Sequence, residues 1–107
     1  MRRLKSSELE QVKVALLKFQ QGRCPLCEKT IQRKKGNPCL DHNHRTGAIR
    51  SVLCRNCNCI EGKIFNLANR AKRDRTPEQW LVSLFRYWEH HEANPLSVLH
   101  PTHRTEG

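Results

Sequence analysis

The sequence has few of the residues that build a large hydrophobic core. Aromatic residues make up 6% of its 107 residues and apolar residues 36%, so the chain needs a supplement such as a bound metal or an oligomeric interface. No segment approaches the ~18 apolar residues of a membrane-spanning helix, and the basic N-terminal residues lack the apolar stretch of a signal peptide. We therefore expect a single small domain that stays inside the cell and does not enter a membrane.

Acidic residues are scarce and unevenly distributed. Residues 1–75 carry eighteen Lys and Arg against six acids, a balance of +12, whereas residues 76–107 carry two against four, a balance of −2. The basic part is typical of proteins that bind nucleic acid, and a merely solubilising basic surface is the alternative. An anionic membrane is a poor partner, because the basic residues do not lie on an amphipathic helix with a broad apolar face.

Four of the six cysteines form two Cys-x2-Cys pairs, Cys24/Cys27 and Cys54/Cys57. Thiols stay reduced inside cells, so this pattern predicts one zinc ion held by four thiolates rather than disulfides. A closed four-thiolate site has no position for water, so the zinc would be structural. A redox role is disfavoured because no thioredoxin-like pattern surrounds the pairs. The two remaining cysteines are expected to be small buried apolar residues: Cys39 and Cys59.

Three helices are predicted. The first covers residues 8–21, begins at a capping box of Ser7 and Glu10, and ends at Gly22. Its apolar positions are Leu9, Val12, Leu16 and Phe19. The second runs from about Asn58 to about Arg73, and the third from the Thr76-Pro77-Glu78-Gln79 capping box to Asn94-Pro95. The third helix is expected to bury one apolar stripe: Trp80, Leu81, Leu84, Phe85 and Trp88.

A short hairpin is predicted between the cysteine pairs, with strands at 39–42 and 48–53 and a turn at 43–47. Asp41, His42 and His44 lie on its first strand and turn, and Asn58 and Glu61 follow on the next helix. Two strands leading into a helix, with these residues, describe a ββα-metal site. Adjacent residues on a regular strand face opposite ways, so Asp41 and His42 can share a site only if the strand ends or bends there.

Each of these residues also has a structural interpretation. Asn58 with Glu61 three positions later could cap the helix. His44 could be a solvated turn residue, and Asp41 with His42 could form a structural hydrogen-bonded pair. A carboxylate and an imidazole within a strongly basic segment favour a functional site.

The segment from Gly22 to Lys63 resembles the phage recombination endonuclease VII family. The resemblance lies in Cys24-x2-Cys27, Leu40-Asp41-His42-Asn43-His44, Gly47-Ala48-Ile49-Arg50 and Leu53-Cys54-Arg55-Asn56-Cys57-Asn58 with Glu61-Gly62. The later Trp80–Trp88 helix and Leu99-His100-Pro101 are similar to the family's next segment. The family often has Asp where this chain has Asn43. Its better-known members carry a C-terminal extension that contributes to junction binding and that this sequence lacks.

The resemblance implies roles for individual residues. Zinc is structural, Asp41 and Asn58 hold a catalytic Mg²⁺ or Mn²⁺, and His42 is the general base. His44 and Glu61 lie in or beside the same site. The basic residues expected to contact DNA are Arg33, Lys34, Lys35, Arg45, Arg50, Arg55 and Lys63.

We therefore predict an α+β, mostly helical fold with a zinc-held ββα-metal (His-Me finger) core and flanking helices. Residues 1–75 form the nuclease core, and residues 76–107 form an amphipathic helix and tail of the same domain that mediates dimerisation. The predicted function is a metal-dependent DNA endonuclease that leaves a 5′-phosphate and a 3′-hydroxyl. It acts on Holliday junctions or other branched DNA, as a homodimer, in the cytoplasm of a phage-infected bacterium. The alternatives are a less selective nicking or homing-type HNH endonuclease, a non-catalytic zinc-knuckle nucleic-acid-binding protein, and a structural phage protein.

Overall fold

The structure is a computed structural model that describes residues 2–104. A 3₁₀ turn at Ser6–Glu8 is followed by α1 (Leu9–Phe19), β1 (Cys39–His42), β2 (Ile49–Leu53), α2 (Arg55–Ala71) and α3 (Pro77–Ala93). The predicted α+β class is confirmed. Among residues 2–104, no helix is both long and apolar enough to cross a membrane.

The chain divides into two compact units, Met1–Phe65 and Asn66–Gly107. The first unit contains α1, the β1–β2 hairpin and the first part of α2. The second contains the end of α2 and α3. The assignment of residues 1–75 and 76–107 to two parts of one domain stays a prediction.

The start of α1 differs from the prediction. The 3₁₀ turn occupies the expected capping position, and the Glu8 carboxylate accepts a hydrogen bond from the Lys5 backbone N–H at 2.9 Å. The predicted capping box of Ser7 and Glu10 is wrong, because the Glu10 carboxylate accepts instead from the Arg33 guanidinium.

Helix α1 ends at Phe19, two residues before the predicted residue 21, and Gly22 closes the turn that follows it. The Gly22 N–H donates to the Leu17 carbonyl at 2.8 Å and the Gln21 N–H donates to the Lys18 carbonyl at 3.0 Å. These two bonds form a Schellman motif, which satisfies carbonyl groups that the last helical turn leaves open. Gln21 takes the left-handed conformation of this motif, with φ of 57°.

The core of the first unit surrounds the cysteine pairs. Cys24, Ile31, Val52 and Leu53 are buried there, and the α1 residues that pack against them are Leu16 and Leu17. The predicted apolar face of α1 is therefore partly wrong, since Phe19 is 86% exposed.

The side chain of Gln20 fastens the end of α1 to β2. Its amide nitrogen donates to the Val52 carbonyl at 2.9 Å, and its amide oxygen accepts from the Val52 N–H at the same distance. These bonds satisfy both backbone polar groups of a fully buried residue on the free edge of β2. A glutamine that follows an amphipathic helix gives no sequence signal for this contact.

The hairpin forms as predicted, with β2 beginning at Ile49 rather than at residue 48. The Asn43 side-chain oxygen accepts from the N–H groups of Arg45 and Thr46 at 2.8 and 3.0 Å, which holds the turn. Gly47 has φ of 78°, a conformation that glycine adopts without steric cost.

The antiparallel pairing of β1 and β2 is interrupted at one position. Asp41 pairs with Ser51, but His42 pairs with Ile49, so Arg50 is an extra residue opposite the Asp41–His42 step. This is a β-bulge, which bends the strand and redirects its side chains. The break in strand geometry that the Asp-His pair requires lies at the step between these two residues.

Helix α2 begins three residues before the predicted Asn58, at Arg55. The Cys54 sulfur accepts from the Cys57 N–H at 3.4 Å, and the Asn37 side-chain oxygen accepts from the Arg55 N–H at 2.7 Å. Both bonds satisfy N–H groups that have no partner within the helix. The second cysteine pair is thus the start of the helix and not a separate segment before it.

Helix α3 has the predicted capping box. The Gln79 N–H donates to the Thr76 hydroxyl at 3.1 Å, and the Thr76 N–H donates to the Gln79 side-chain oxygen at 3.0 Å. The predicted burial of its apolar stripe holds in part. Trp80, Leu81 and Leu84 are half-buried. Phe85 and Trp88 are 58% and 57% exposed, so the prediction that they are buried is wrong for the single chain.

Candidate metal and catalytic site

Four cysteine sulfurs converge in the first unit. The sulfur atoms of Cys24, Cys27, Cys54 and Cys57 all lie within 4.8 Å of one another. A tetrahedron with zinc–sulfur bonds of ~2.3 Å has edges of about 3.8 Å, and the Cys27 and Cys54 sulfurs are 3.9 Å apart. The cluster therefore has the size and donor chemistry of a structural zinc site, as the sequence predicts.

The protonation of these thiols favours a bound cation. Burial raises the pKa of the Cys24 thiol, but hydrogen bonds from nearby backbone N–H groups outweigh this effect and lower it to about 6. Burial and the neighbouring sulfurs raise the pKa of Cys57 to about 12. One thiolate thus forms easily and opposes the formation of the next. A divalent cation at the centre removes this opposition.

The other two cysteines stand outside the cluster. The Cys39 thiol is half-buried and donates to the Gly36 carbonyl at 3.2 Å. Cys59 is exposed on α2, so the prediction that it is a buried apolar residue is wrong.

A second polar cluster lies on the hairpin and α2. Arg50, the extra residue of the bulge, donates through Nε to Asp41 Oδ2 at 2.7 Å and through Nη2 to Asp41 Oδ1 at 3.0 Å. The same Nη2 donates to Glu61 Oε1 at 2.9 Å. These hydrogen bonds, first to Asp41 and then to Glu61, raise the pKa of Arg50 above its ordinary value. Asp41 is 7% exposed, and Arg50 is its side-chain partner among the described residues.

His44 extends this cluster. Its Nε2 lies 2.9 Å from Glu61 Oε2, to which it donates because an ionised carboxylate only accepts. Its ring stacks on Phe65, with centroids 4.5 Å apart. His44 is an exposed residue of the turn, as one interpretation of the sequence has it, and these two contacts hold its ring against α2.

His42 stands at the open side of the cluster. It is exposed, and its ring centroid lies 6.1 Å from that of His44. The alternative of a structural Asp41–His42 hydrogen bond is not found, since Arg50 takes both carboxylate oxygens of Asp41. An accessible imidazole is a group that can exchange protons with a water molecule.

Asn58 lies in the first turn of α2 and not at its cap. Its N–H donates to the Cys54 carbonyl at 2.9 Å, which places it inside the helical hydrogen-bond pattern. The helix-cap interpretation of Asn58 is therefore wrong. Residues three apart on a helix share a face, so Asn58 and Glu61 lie on the same side of α2.

The basic residues predicted to contact DNA have different environments. Lys34, Lys35 and Lys63 are exposed. Arg33 is bonded to Glu10, and the Arg45 guanidinium carbon lies 5.9 Å from the centre of the Phe65 ring. The Arg55 side chain packs beside Gly36, where an added Cβ would meet its Cδ at 3.3 Å. Arg50 differs from the other six residues, because its guanidinium lies inside the polar cluster and bonds Asp41 and Glu61.

The sequence of this chain matches the model of a known protein family. A family model described as recombination endonuclease VII matches residues 1–90. The chain belongs to the recombination endonuclease VII family. The membership predicted from its motifs is confirmed.

Two phage proteins are similar to part of this chain. The Gene 59 protein of Mycobacterium phage D29 is 41% identical over 44 residues, and the Gene 59 protein of Mycobacterium phage L5 is 42% identical over 43 residues. The matches cover 41% and 40% of this chain. They span 26% of each relative, about a quarter of the length of these curated proteins.

Sequence reasoning missed two contributors to the site. Arg50 is predicted only as a DNA contact, because a bulge cannot be located from alternation alone. Phe65 gives no signal beyond an apolar position on α2, although it supports the ring of His44.

We predict one zinc per chain and loss of the first unit's fold on its removal, because the buried core surrounds the cysteine cluster. Elemental analysis measures the zinc content, and circular dichroism follows unfolding by a chelator. Cys24→Ser is expected to lose zinc. Cys59→Ser is the matched control and is expected to keep it, since Cys59 lies outside the cluster. Protein purified without chelator that contains no zinc contradicts the prediction.

Proposed function

We propose that this protein is a metal-dependent DNA endonuclease with a ββα-metal site of the His-Me finger kind. It hydrolyses a phosphodiester bond to a 5′-phosphate and a 3′-hydroxyl, with a preference for branched DNA such as a Holliday junction. The observation that carries the proposal is the polar cluster in the most basic part of the chain, in which Arg50 at the β-bulge bonds Asp41 and Glu61, and Glu61 in turn bonds His44. A protein that only binds DNA gains nothing from placing acids there. Membership of the recombination endonuclease VII family supports the same activity.

The proposed metal ligands fit a hard divalent cation. Asp41 supplies carboxylate oxygens and Asn58 an amide oxygen, and Mg²⁺ and Mn²⁺ prefer oxygen donors of this kind. Each Asp41 oxygen accepts one hydrogen bond from Arg50 and retains lone-pair capacity for a ligand bond. Mg²⁺ or Mn²⁺ held by these two residues would neutralise charge on the scissile phosphate.

His42 is the proposed general base. A neutral imidazole takes a proton from water near neutral pH, which generates the nucleophile that attacks phosphorus. The phosphorus–O3′ bond then breaks, so the downstream fragment keeps a 5′-phosphate, and the O3′ of the upstream fragment takes a proton from solvent to become the 3′-hydroxyl. His44 is fixed by Glu61 and Phe65 and contributes by holding Glu61 in position rather than by reacting.

The exposed lysines and arginines provide contacts to DNA phosphates. Many dispersed cationic contacts give most of the affinity of such complexes and make it strongly dependent on salt.

The preference for branched DNA is drawn from the family and not from these residues. A less selective nicking or homing-type HNH enzyme, or a zinc-knuckle binder without activity, is the alternative that the cleavage test addresses. The phage relatives support a location in the cytoplasm of an infected bacterium.

A homodimer is proposed from the exposed face of α3. Phe85 and Trp88 are adjacent, with ring centroids 6.0 Å apart, and more than half of each is exposed. Large exposed apolar side chains side by side are typical of an interface. A second copy is the occupant that we propose, because an enzyme that resolves a junction must cut two strands related by symmetry.

The first test is cleavage of a four-way junction, a mismatched duplex and a plain duplex at equal concentrations with Mg²⁺. We expect the junction to be cut fastest and all cleavage to stop when divalent cations are removed. Equal rates on all three substrates would support the less selective nicking enzyme. No cleavage of any substrate, with intact DNA binding, would support the zinc-knuckle binder.

Substitution of the proposed ligands belongs to the same test. Asp41→Ala or Asn58→Ala is expected to remove cleavage and leave DNA binding largely intact, because the phosphate contacts come from other residues. Asn56→Ala is the matched control on the same helical turn, where an exposed asparagine is removed. Full activity of Asn58→Ala would contradict the proposed metal site.

His42→Ala is expected to lower the cleavage rate by at least about a hundredfold, the usual scale for a lost general base. Binding should barely change, because many cationic contacts dominate the complex. His44→Ala is the control, with a smaller loss because its ring acts through Glu61. If both variants keep the wild-type rate, the Asp-His segment is structural.

Light scattering tests the dimer. We expect the mass of two chains at micromolar concentration, and the mass of one chain for the double variant Phe85→Ser, Trp88→Ser. The cysteine cluster lies in the other unit, so zinc content serves as the control for folding of the variant. A wild-type monomer would contradict both the dimer and symmetric junction resolution.

A further inference from the structure

The environment of Arg50 raises a question about how the site binds a divalent cation. Asp41 is buried, and a buried carboxylate requires compensation of its charge. Arg50 provides it with a two-point contact and also contacts Glu61. In the free protein, the region that a divalent cation would enter therefore already faces a fixed positive charge.

Three observations indicate that the Arg50 guanidinium can leave Asp41 for another anionic partner. The Arg50 side chain is 38% exposed, whereas that of Asp41 is 9% exposed, so the guanidinium can reach solvent and the carboxylate cannot. Arg50 is the extra residue of the bulge and has no partner across the hairpin, so its movement breaks no strand pairing. A guanidinium binds a phosphate with the same two-point geometry that it uses with a carboxylate.

Charge also favours an exchange. Asp41 and Glu61 carry two negative charges against the one positive charge of Arg50, which leaves the cluster with a net charge of −1. A divalent cation added beside Asp41 meets repulsion from the guanidinium, and in a partly buried site this repulsion is only weakly screened. If Arg50 moves to a DNA phosphate, both carboxylates become available to the cation.

We propose that Arg50 is a cationic placeholder in this site. In the free protein its guanidinium holds Asp41 and Glu61, and on DNA binding it transfers to a backbone phosphate, which leaves Asp41 for a divalent cation. Cation affinity is thereby linked to the presence of DNA. The inference rests on the proposed function and adds to it a positioning residue that couples the two ligands.

The experiment measures Mn²⁺ affinity by electron paramagnetic resonance in zinc-loaded protein, with and without a four-way junction. All proteins carry His42→Ala so that cleavage is slow compared with the binding measurement. Without DNA, Arg50→Ala is expected to bind Mn²⁺ at least about tenfold tighter than the parent, because the like charge is gone. DNA tightens Mn²⁺ binding by some factor in the parent, and we expect this factor to be at least about tenfold smaller in the variant, because the residue that couples the two ligands is gone.

Two further variants keep the test decisive. Arg50→Gln also removes the charge but retains an N–H donor for one carboxylate, and it decides the outcome if Arg50→Ala does not fold. Arg55→Ala is the matched control, because it removes the same charge from an exposed arginine packed beside Gly36. It is expected to leave Mn²⁺ affinity without DNA unchanged.

Each outcome separates this inference from the proposed function. If Asp41→Asn removes Mn²⁺ binding, the proposed metal site stands. If Arg50→Ala and Arg50→Gln then leave Mn²⁺ affinity unchanged or weaken it, the placeholder role of Arg50 is overturned. An equal gain in affinity for Arg55→Ala also overturns it, because the effect would then reflect net charge alone. Absence of Mn²⁺ binding in the parent with DNA overturns both proposals.

Discussion

The convergence of four cysteine sulfurs is the constraint on which the first unit depends. It joins the segment after α1, the end of β2 and the start of α2 at one point, and the buried residues of this unit surround it. Few other apolar side chains are buried in this unit, because the sequence supplies few. Cys54 has a second role, since its sulfur also accepts a hydrogen bond from the Cys57 N–H in the first turn of α2. The same atoms that form a metal site therefore fix where the helix begins and how it leaves the hairpin.

Much of this could be predicted from the sequence, because short-range signals carry it. The Cys-x2-Cys pairs, the turn through Asn43 and Gly47, and the Thr76 capping box each depend on residues within five positions of one another, and the structure contains all three. The start of α2 could not be placed, because Cys54 does not resemble a capping residue and because Asn37, which accepts from the Arg55 N–H, lies 18 residues before Arg55. The exposed face of α3 is a failure of another kind. An apolar stripe at helical spacing predicts burial without indicating whether the covering surface belongs to the same chain.

The β-bulge is the feature of the candidate site that local sequence signals do not locate. Alternation along β1 predicts that Asp41 and His42 face opposite ways, and the irregularity beside them lies on the partner strand, where Arg50 is the extra residue. A bulge is visible only when both strands are aligned, so the sequence could state that a break was required but not which residue made it. That residue is Arg50, and its guanidinium makes the two-point contact with the buried carboxylate. The bulge beside the proposed catalytic residues thus also supplies the positive charge that balances Asp41.

The two proposed cation sites are adjacent in the chain, since Cys57 and Asn58 are consecutive residues of α2, and their donor atoms keep them distinct. Thiolates select zinc, whereas carboxylate and amide oxygens suit magnesium or manganese, so neither ion competes well for the other's ligands. Adjacency also makes the second site depend on the first. The position of Asn58 is fixed by the helical turn that Cys54 and Cys57 begin. In the proposed enzyme, zinc bound at the cysteine cluster would therefore contribute to catalysis without contacting the substrate, because it would hold Asn58, a proposed ligand of the catalytic ion, in position.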